Sequence, residues 1–233
     1  MPKKLQIYYK IMNSIAFSKF QETKEEIATL WEMHVELSGT SGQGRRNDRL
    51  SILNKTALVF VSASWESYIE DVIQESFEKL LLNVKEADHL PMKLRMQCVD
   101  EITNSKDPTA IWKISDKKWI TYITDNKKKV LGAWIEKFHS PKSENIKDLF
   151  SNTVGIKDIT KSWFWQRMNY SNAIEKLDDY LDIRGKIVHR LKTEEKIKKW
   201  QADDFLGHVS LLVEKTDNAL KIHLESLTNV SPW

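Results

Sequence analysis

The chain has 233 residues, a formal charge of +3, nine tryptophans, one cysteine and few glycines or prolines (seven and five). That length allows one large domain or two small ones, and the scarcity of turn residues disfavours an all-β protein and favours long helices. A single Cys98 excludes an intrachain disulfide framework, the mild charge does not by itself demand nucleic acid, and no apolar run is long enough to span a membrane. The opening MPKKLQIYYKIMNS lacks the pattern of a signal peptide, so a cytoplasmic protein with no membrane association is expected.

Apolar spacing predicts a first helix over residues 5–37, through Ile7, Ile11, Ile15, Phe20, Ile27, Leu30 and Trp31. The connection SGTSGQGRRND follows, carrying Arg45 and Arg46 with Arg49 beyond. Its glycines do not make a phosphate loop, because no strand precedes them and no G-K-[S/T] ends them. A second long helix is predicted over 47–82. Its middle, TALVFVSASWESYIEDVIQ, is apolar on nearly all sides before Trp65 and amphipathic after it, which marks the central helix of a bundle. Glu66 and Glu70 lie one turn apart on it with Asp71 alongside.

Pro91 breaks the chain and opens a helix near 92–102, followed by a loop around 104–108. A further helix is predicted over 116–139, carrying the run Lys127-Lys128-Lys129. Such a run is ordinarily a solvated face; the sharper alternative is a patch that tracks a nucleic-acid backbone. A short helix is expected over 144–150, then an aromatic knot of Trp163, Phe164 and Trp165. The next helix starts near 169–172, where asparagines offer N-caps, and a last one covers about 202–227. No repeat or long linker divides the chain. The expected architecture is one all-α domain, a helical bundle with long central helices and a helical insertion.

The stretch LDIRGKIVHRL, residues 181–191, carries the chemistry. The stripe Ile174, Leu177, Leu181, Val188, Leu191 runs through it at helical spacing, and Arg184 occupies one of its places. An unpaired charge there is costly, so Arg184 needs a carboxylate or an anion that comes and goes. His189, five residues on, is a proton-transfer group suited to neutral pH. Lys186, Arg190, Lys192, Lys196, Lys198 and Lys199 outnumber Glu194 and Glu195 around the pair, a field suited to a phosphate backbone. The bland alternative is a buried ion pair of Arg184 with Glu66, Glu70 or Asp179. His34, His208 and His223 lack a ligand partner one turn on, His89 and His139 lie in or beside loops, and nothing has the spacing of a metal site. Cys98 has no catalytic companion and is expected to be buried and inert.

The segment Ile183-Arg184-Gly185-Lys186-Ile187-Val188-His189 resembles the signature of HEPN domains, an arginine and a histidine four to six residues apart near the end of a helical bundle. SASWESYIEDV, residues 62–72, looks like the central helix of the RiboL-PSP and MAE-type branch, and SPKSENIKDLFSNTVGIKDI, residues 140–159, like its mid-domain segment. The resemblance covers about residues 50–213. It implies an all-α, metal-independent endoribonuclease without a cofactor, acting on RNA as a homodimer, with Arg184 and His189 catalytic. Glu66, Glu70 and Gly185 would be in support, and Lys186, Arg190 and Lys192 on the RNA. It also implies an effector of toxin–antitoxin or antiphage systems, with an antitoxin or regulatory protein as partner. Two departures stand out. Gly185 replaces the polar residue, commonly Asn, that follows the arginine, and Leu191 replaces the tyrosine that some branches carry two residues after the histidine. Some HEPN domains are non-catalytic modules that bind RNA or a protein, which is the alternative function.

Overall fold

The computed structural model describes residues 13–38, 48–138, 140–189 and 197–233. Regular structure among them is helical: α1 (Ile15–Ser38), α2 (Asp48–Asn83), α3 (Met92–Thr103), α4 (Lys118–Asp125), α5 (Lys127–Ile135), α6 (Ser143–Thr153), α7 (Tyr170–His189) and α8 (Lys199–Thr228), with short 3-10 turns between.

The core forms around α2, as its apolar circumference requires. Leu58, Val61, Trp65, Ile69, Val72 and Ile73 are all closed off from solvent. Helix α8 runs parallel to α2: the Asn54 side chain donates to the Ile197 carbonyl at 2.9 Å and the Tyr68 hydroxyl to the Val213 carbonyl at 3.2 Å. Helix α1 returns antiparallel, with Lys19 on Asp71 at 2.9 Å and Phe20 edge-on to Tyr68 at 6.2 Å. Asp71 is therefore engaged with α1 rather than with Arg184. The start of α1 is clasped from two sides. Glu75 accepts the N–H groups of Ile15 and Ala16, both at 3.1 Å, while the Ser14 hydroxyl donates to the buried Asp217 and accepts from the Phe17 N–H at 2.9 Å. These bonds satisfy amide donors that a helix start leaves open.

Helix α7 packs antiparallel to α8, with Lys176 and Tyr180 both on Asp204 (2.8 and 2.7 Å). It begins where the asparagines suggest, since the Asn169 side chain accepts the Asn172 N–H at 2.8 Å. The aromatic knot divides by residue. Trp163 is buried, donates to the Thr216 hydroxyl at 2.9 Å and meets Trp65 edge-on; Phe164 is 61% exposed.

The expected helix over 116–139 is two helices. Asp116 and Lys117 have positive φ, which delays the start to Lys118, and Asn126 breaks the run by bonding its side chain back to the Tyr122 carbonyl at 2.8 Å. Helices α3 to α5 are the insertion. They build a second apolar cluster over the far end of α2 and α8, with Leu94, Cys98, Ile123, Val130 and Leu131 against Phe77, Leu80 and Leu224. Two of the three lysines of the basic run are ion-paired, Lys127 to Glu78 at 2.6 Å and Lys129 to Glu101 at 3.2 Å. Those pairs fit the solvated-face reading, not a free anion track. No described helix is long and apolar enough to cross a membrane.

Candidate functional site

The apolar stripe of α7 is real in its first half and ends early. Ala173, Leu177, Tyr180 and Leu181 are buried, whereas Val188 is 43% exposed. The last two turns run out past the core, so Val188 does not continue the stripe; Ile183 and Ile187 pack partly against the core instead. Leu191, Arg190, Lys192 and Lys196 lie outside the described residues.

Arg184 sits at this transition, on the side of α7 that faces α2. Its terminal nitrogen is 4.0 Å from Glu66 Oε2, with side-chain exposures of 31% and 28%. Of the three carboxylates that the sequence offers Arg184, the structure selects Glu66. The contact is at the outer limit of an ion pair, and Arg184 Nε is closed off from solvent without a hydrogen-bond acceptor among the described residues. The guanidinium is thus half-buried and under-satisfied, the condition in which an incoming anion is stabilising.

Glu70, one turn along α2, makes no ion pair among the described residues. Burial, then the neighbouring Glu66 and Asp71 carboxylates, hold its pKa above the ordinary carboxylate value. The α2 surface under Arg184 therefore presents two carboxylates against one cation. Gly185 is helical, and a Cβ built on it meets nothing within 4 Å. No close approach requires glycine there, and an asparagine side chain has room.

His189 ends α7 and is exposed. Five helical steps separate it from Arg184, which is roughly 140° around the helix and about 7.5 Å along it. Arg184 faces α2 while His189 points off another side, so one chain does not bring the two onto a common face. Lys186 is exposed on the same turns. Lys199 is committed elsewhere, 3.1 Å from Asp203 and with its ammonium 4.8 Å from the centre of the Trp31 ring.

Contacts at the start of α6 tie that segment to α7 and to α2. Asp178 accepts both the N–H and the hydroxyl of Ser143 (3.0 and 2.6 Å), Lys142 reaches Asp182 at 2.5 Å, and the Trp65 indole donates to the Pro141 carbonyl at 3.1 Å. The one signal for these positioning residues in the sequence is that Asp178 and Asp182 are one turn apart on α7. A concavity of about 530 Å³ between α3 and α5 contains Trp134 with Lys93 and Lys137 but neither Arg184 nor His189.

Two further histidines, His208 and His223, are held within the fold. His208 is buried, its Nε2 3.0 Å from the Ala173 carbonyl and its ring 5.4 Å from that of Trp165. Burial brings its pKa down to about 4. His223 Nε2 donates to the Val154 carbonyl at 2.8 Å, and burial lowers its pKa too. Cys98 is buried, and burial followed by the Glu101 charge raises its thiol pKa, which fits the inert role expected of it. No group of three or more His, Cys, Asp or Glu side chains gathers among the described residues in a way that would hold a metal ion.

Compared with known proteins, the chain matches the model of one family, RiboL-PSP-HEPN, over residues 18–221. Neither the curated proteins nor the solved structures contain a match.

Proposed function

Because the chain belongs to the RiboL-PSP-HEPN family, whose HEPN-type domains are often nucleases, we propose that it is a metal-independent endoribonuclease whose site two copies of the chain complete. The observation that carries this reading is the state of Arg184. Its guanidinium is anchored on α7, half-exposed, 4.0 Å from its nearest carboxylate and short of an acceptor at Nε. A phosphate supplies what that fork lacks.

Cleavage without a metal is an attack of the 2′-hydroxyl on the adjacent phosphorus. The 2′-oxygen–phosphorus bond forms as the bond from phosphorus to the 5′-oxygen breaks. A neutral His189 takes the proton from the 2′-hydroxyl, and a protonated His189 delivers one to the departing 5′-oxygen. One chain offers a single such imidazole, and it points away from its own Arg184. Two chains about a two-fold axis bring two of each to one groove, so the dimer answers both needs. Arg184 neutralises charge on the non-bridging oxygens, and Glu66 holds the guanidinium ready on its other side. Lys186, with Arg190 and Lys192, tracks the flanking phosphates. The products are a 2′,3′-cyclic phosphate and a 5′-hydroxyl. On this reading the protein is a cytoplasmic toxin or antiphage effector, held by an antitoxin or regulatory partner. The whole chain acts as one domain.

A second reading, a non-catalytic module that binds RNA or a partner protein, is favoured by Gly185, where no side chain is present to complete the site. One experiment separates them: cleavage of an end-labelled RNA in chelator by wild type and by His189→Ala, with product ends identified and affinity measured alongside. The nuclease reading expects cyclic-phosphate ends from wild type, no cutting by the variant, and affinity retained. It is lost if a dimer lacking His189 on both chains cuts at the wild-type rate. Binding by both proteins with cutting by neither supports the module.

A further inference from the structure

Away from that site, the insertion encloses a small pocket. It lies between α3, α4 and the turns beside them, with a volume of about 200 Å³, and Leu90, Val99, Ile114, Trp119 and Ile123 form its walls. Two polar side chains line it, Cys98 and Arg95. Helix α3 buries Leu94, Cys98 and Ile102 in the second core. That register places Arg95 along the edge of the same apolar surface, where the residue is partly exposed. Its Nε is closed off and has no hydrogen-bond acceptor among the described residues, and no described carboxylate forms an ion pair with its guanidinium.

A guanidinium with its Nε closed off beside an apolar wall and no counterion is less well satisfied than one wholly in water. Cys98 does not relieve it. Burial and the nearby Glu101 charge hold the thiol pKa up, so the sulfur stays neutral rather than serving as the anion. No carboxylate lines the pocket. The missing group is therefore an anion that tolerates an apolar surround. The pocket is smaller than the usual site for a drug-sized molecule, so the ligand is small. Its walls offer an aromatic face and branched aliphatic side chains, which suit an apolar body and leave a hydrophilic one unsatisfied.

We propose that this pocket binds a small carboxylate with an apolar body, a short-chain or monocyclic acid, through a charge-assisted contact to Arg95. The carboxylate oxygens meet the terminal guanidinium nitrogens of Arg95, and the body packs between Trp119 and Ile123. The site is independent of Arg184 and His189 and stands whether or not the chain cuts RNA.

The test is titration calorimetry of the full chain with hexanoate and benzoate beside their uncharged counterparts, hexanamide and benzamide. Wild type, Arg95→Met and Val99→Trp are compared. Met keeps apolar bulk at position 95; Val99 is 47% exposed at the pocket wall, so a larger side chain there obstructs the pocket without entering the core. The acids are expected to bind wild type at least tenfold tighter than the amides. Arg95→Met is expected to abolish that preference, and Val99→Trp to block acid and amide alike. Occupancy by benzoate also slows alkylation of Cys98, the sole cysteine, which reports the location. No acid binding by wild type, equal binding of acids and amides, or unchanged benzoate affinity in Val99→Trp overturns the proposal. Should Arg95→Met lose its helical circular dichroism, Val99→Trp and the amide comparison still decide.

Discussion

Acid should weaken this fold through His208 in a way that one substitution removes. The ring is buried between α7 and α8, with Nε2 on the Ala173 carbonyl at 3.0 Å and Nδ1 enclosed without a partner among the described residues. In the neutral ring Nε2 carries the proton and Nδ1 carries none, an arrangement the pocket accepts. Protonation places a second N–H in a space with no acceptor, beside Trp165 and facing the charges of Lys176 and Asp204. Burial accordingly takes the pKa from the ordinary 6.5 down to about 4. The folded value is the lower one, so the stabilisation is complete above pH 6.5 and is lost as pH falls toward 4. Between pH 8 and pH 5 the loss is about 2 kcal/mol. With a urea dependence of about 2–3 kcal/mol per molar, that moves the denaturation midpoint by roughly 0.7–1 M. His208→Gln retains an N–H for the Ala173 carbonyl and does not titrate. Urea curves for both proteins at pH 8 and pH 5 isolate the term, because His223 and the carboxylates contribute equally to each. Equal acid losses in wild type and variant would refute the role given to the buried ring.

Two further outcomes follow from the Arg184 surroundings. Glu66→Gln keeps a hydrogen-bonding side chain beside Arg184 and removes a negative charge that competes with the incoming phosphate for the guanidinium. Affinity for a non-cleavable RNA analogue should tighten by about fivefold, roughly 1 kcal/mol, in fluorescence anisotropy at low salt, and an unchanged or weaker affinity contradicts the geometry. Gly185→Ala should stabilise the fold by about 0.5–1 kcal/mol, because a helical glycine with open space at its Cβ carries only an entropic cost. The melting temperature should rise by roughly 2 °C, and a fall would show that the position is constrained by something other than backbone freedom.

The long helices were legible because their apolar faces repeat over many turns. The expected 47–82 and 202–227 are α2 (Asp48–Asn83) and α8 (Lys199–Thr228), and Asn169 caps α7 as its side-chain chemistry suggests. The helix over 116–139 was misjudged because its apolar spacing survives the break. The break depends on two left-handed residues and one asparagine side chain, which a periodicity does not register. At the candidate site, the anomaly of Arg184 was visible as a charge in an apolar stripe. Its choice of Glu66 over Glu70 or Asp179 was not, since that depends on how α7 crosses α2. The exposure of Val188 was equally hidden: spacing says which residues share a face, not where along the helix the neighbours stop. The Arg95 pocket left no trace in the sequence, because a single arginine beside a buried stripe ordinarily reaches water.

The clasp at the start of α1 has a kinetic meaning. Ser14 finds its partner Asp217 across 203 residues of chain, and Ile15 finds Glu75 across 60. Contacts so remote close late, because the loop entropy must be overcome before they return anything. Helix α1 is made well before α8, so it can form early against α2, but its Ser14–Asp217 bond cannot close until α8 has been made. The first helix of the bundle is among the last to be sealed, and its amides should gain protection from exchange in step with those of α8.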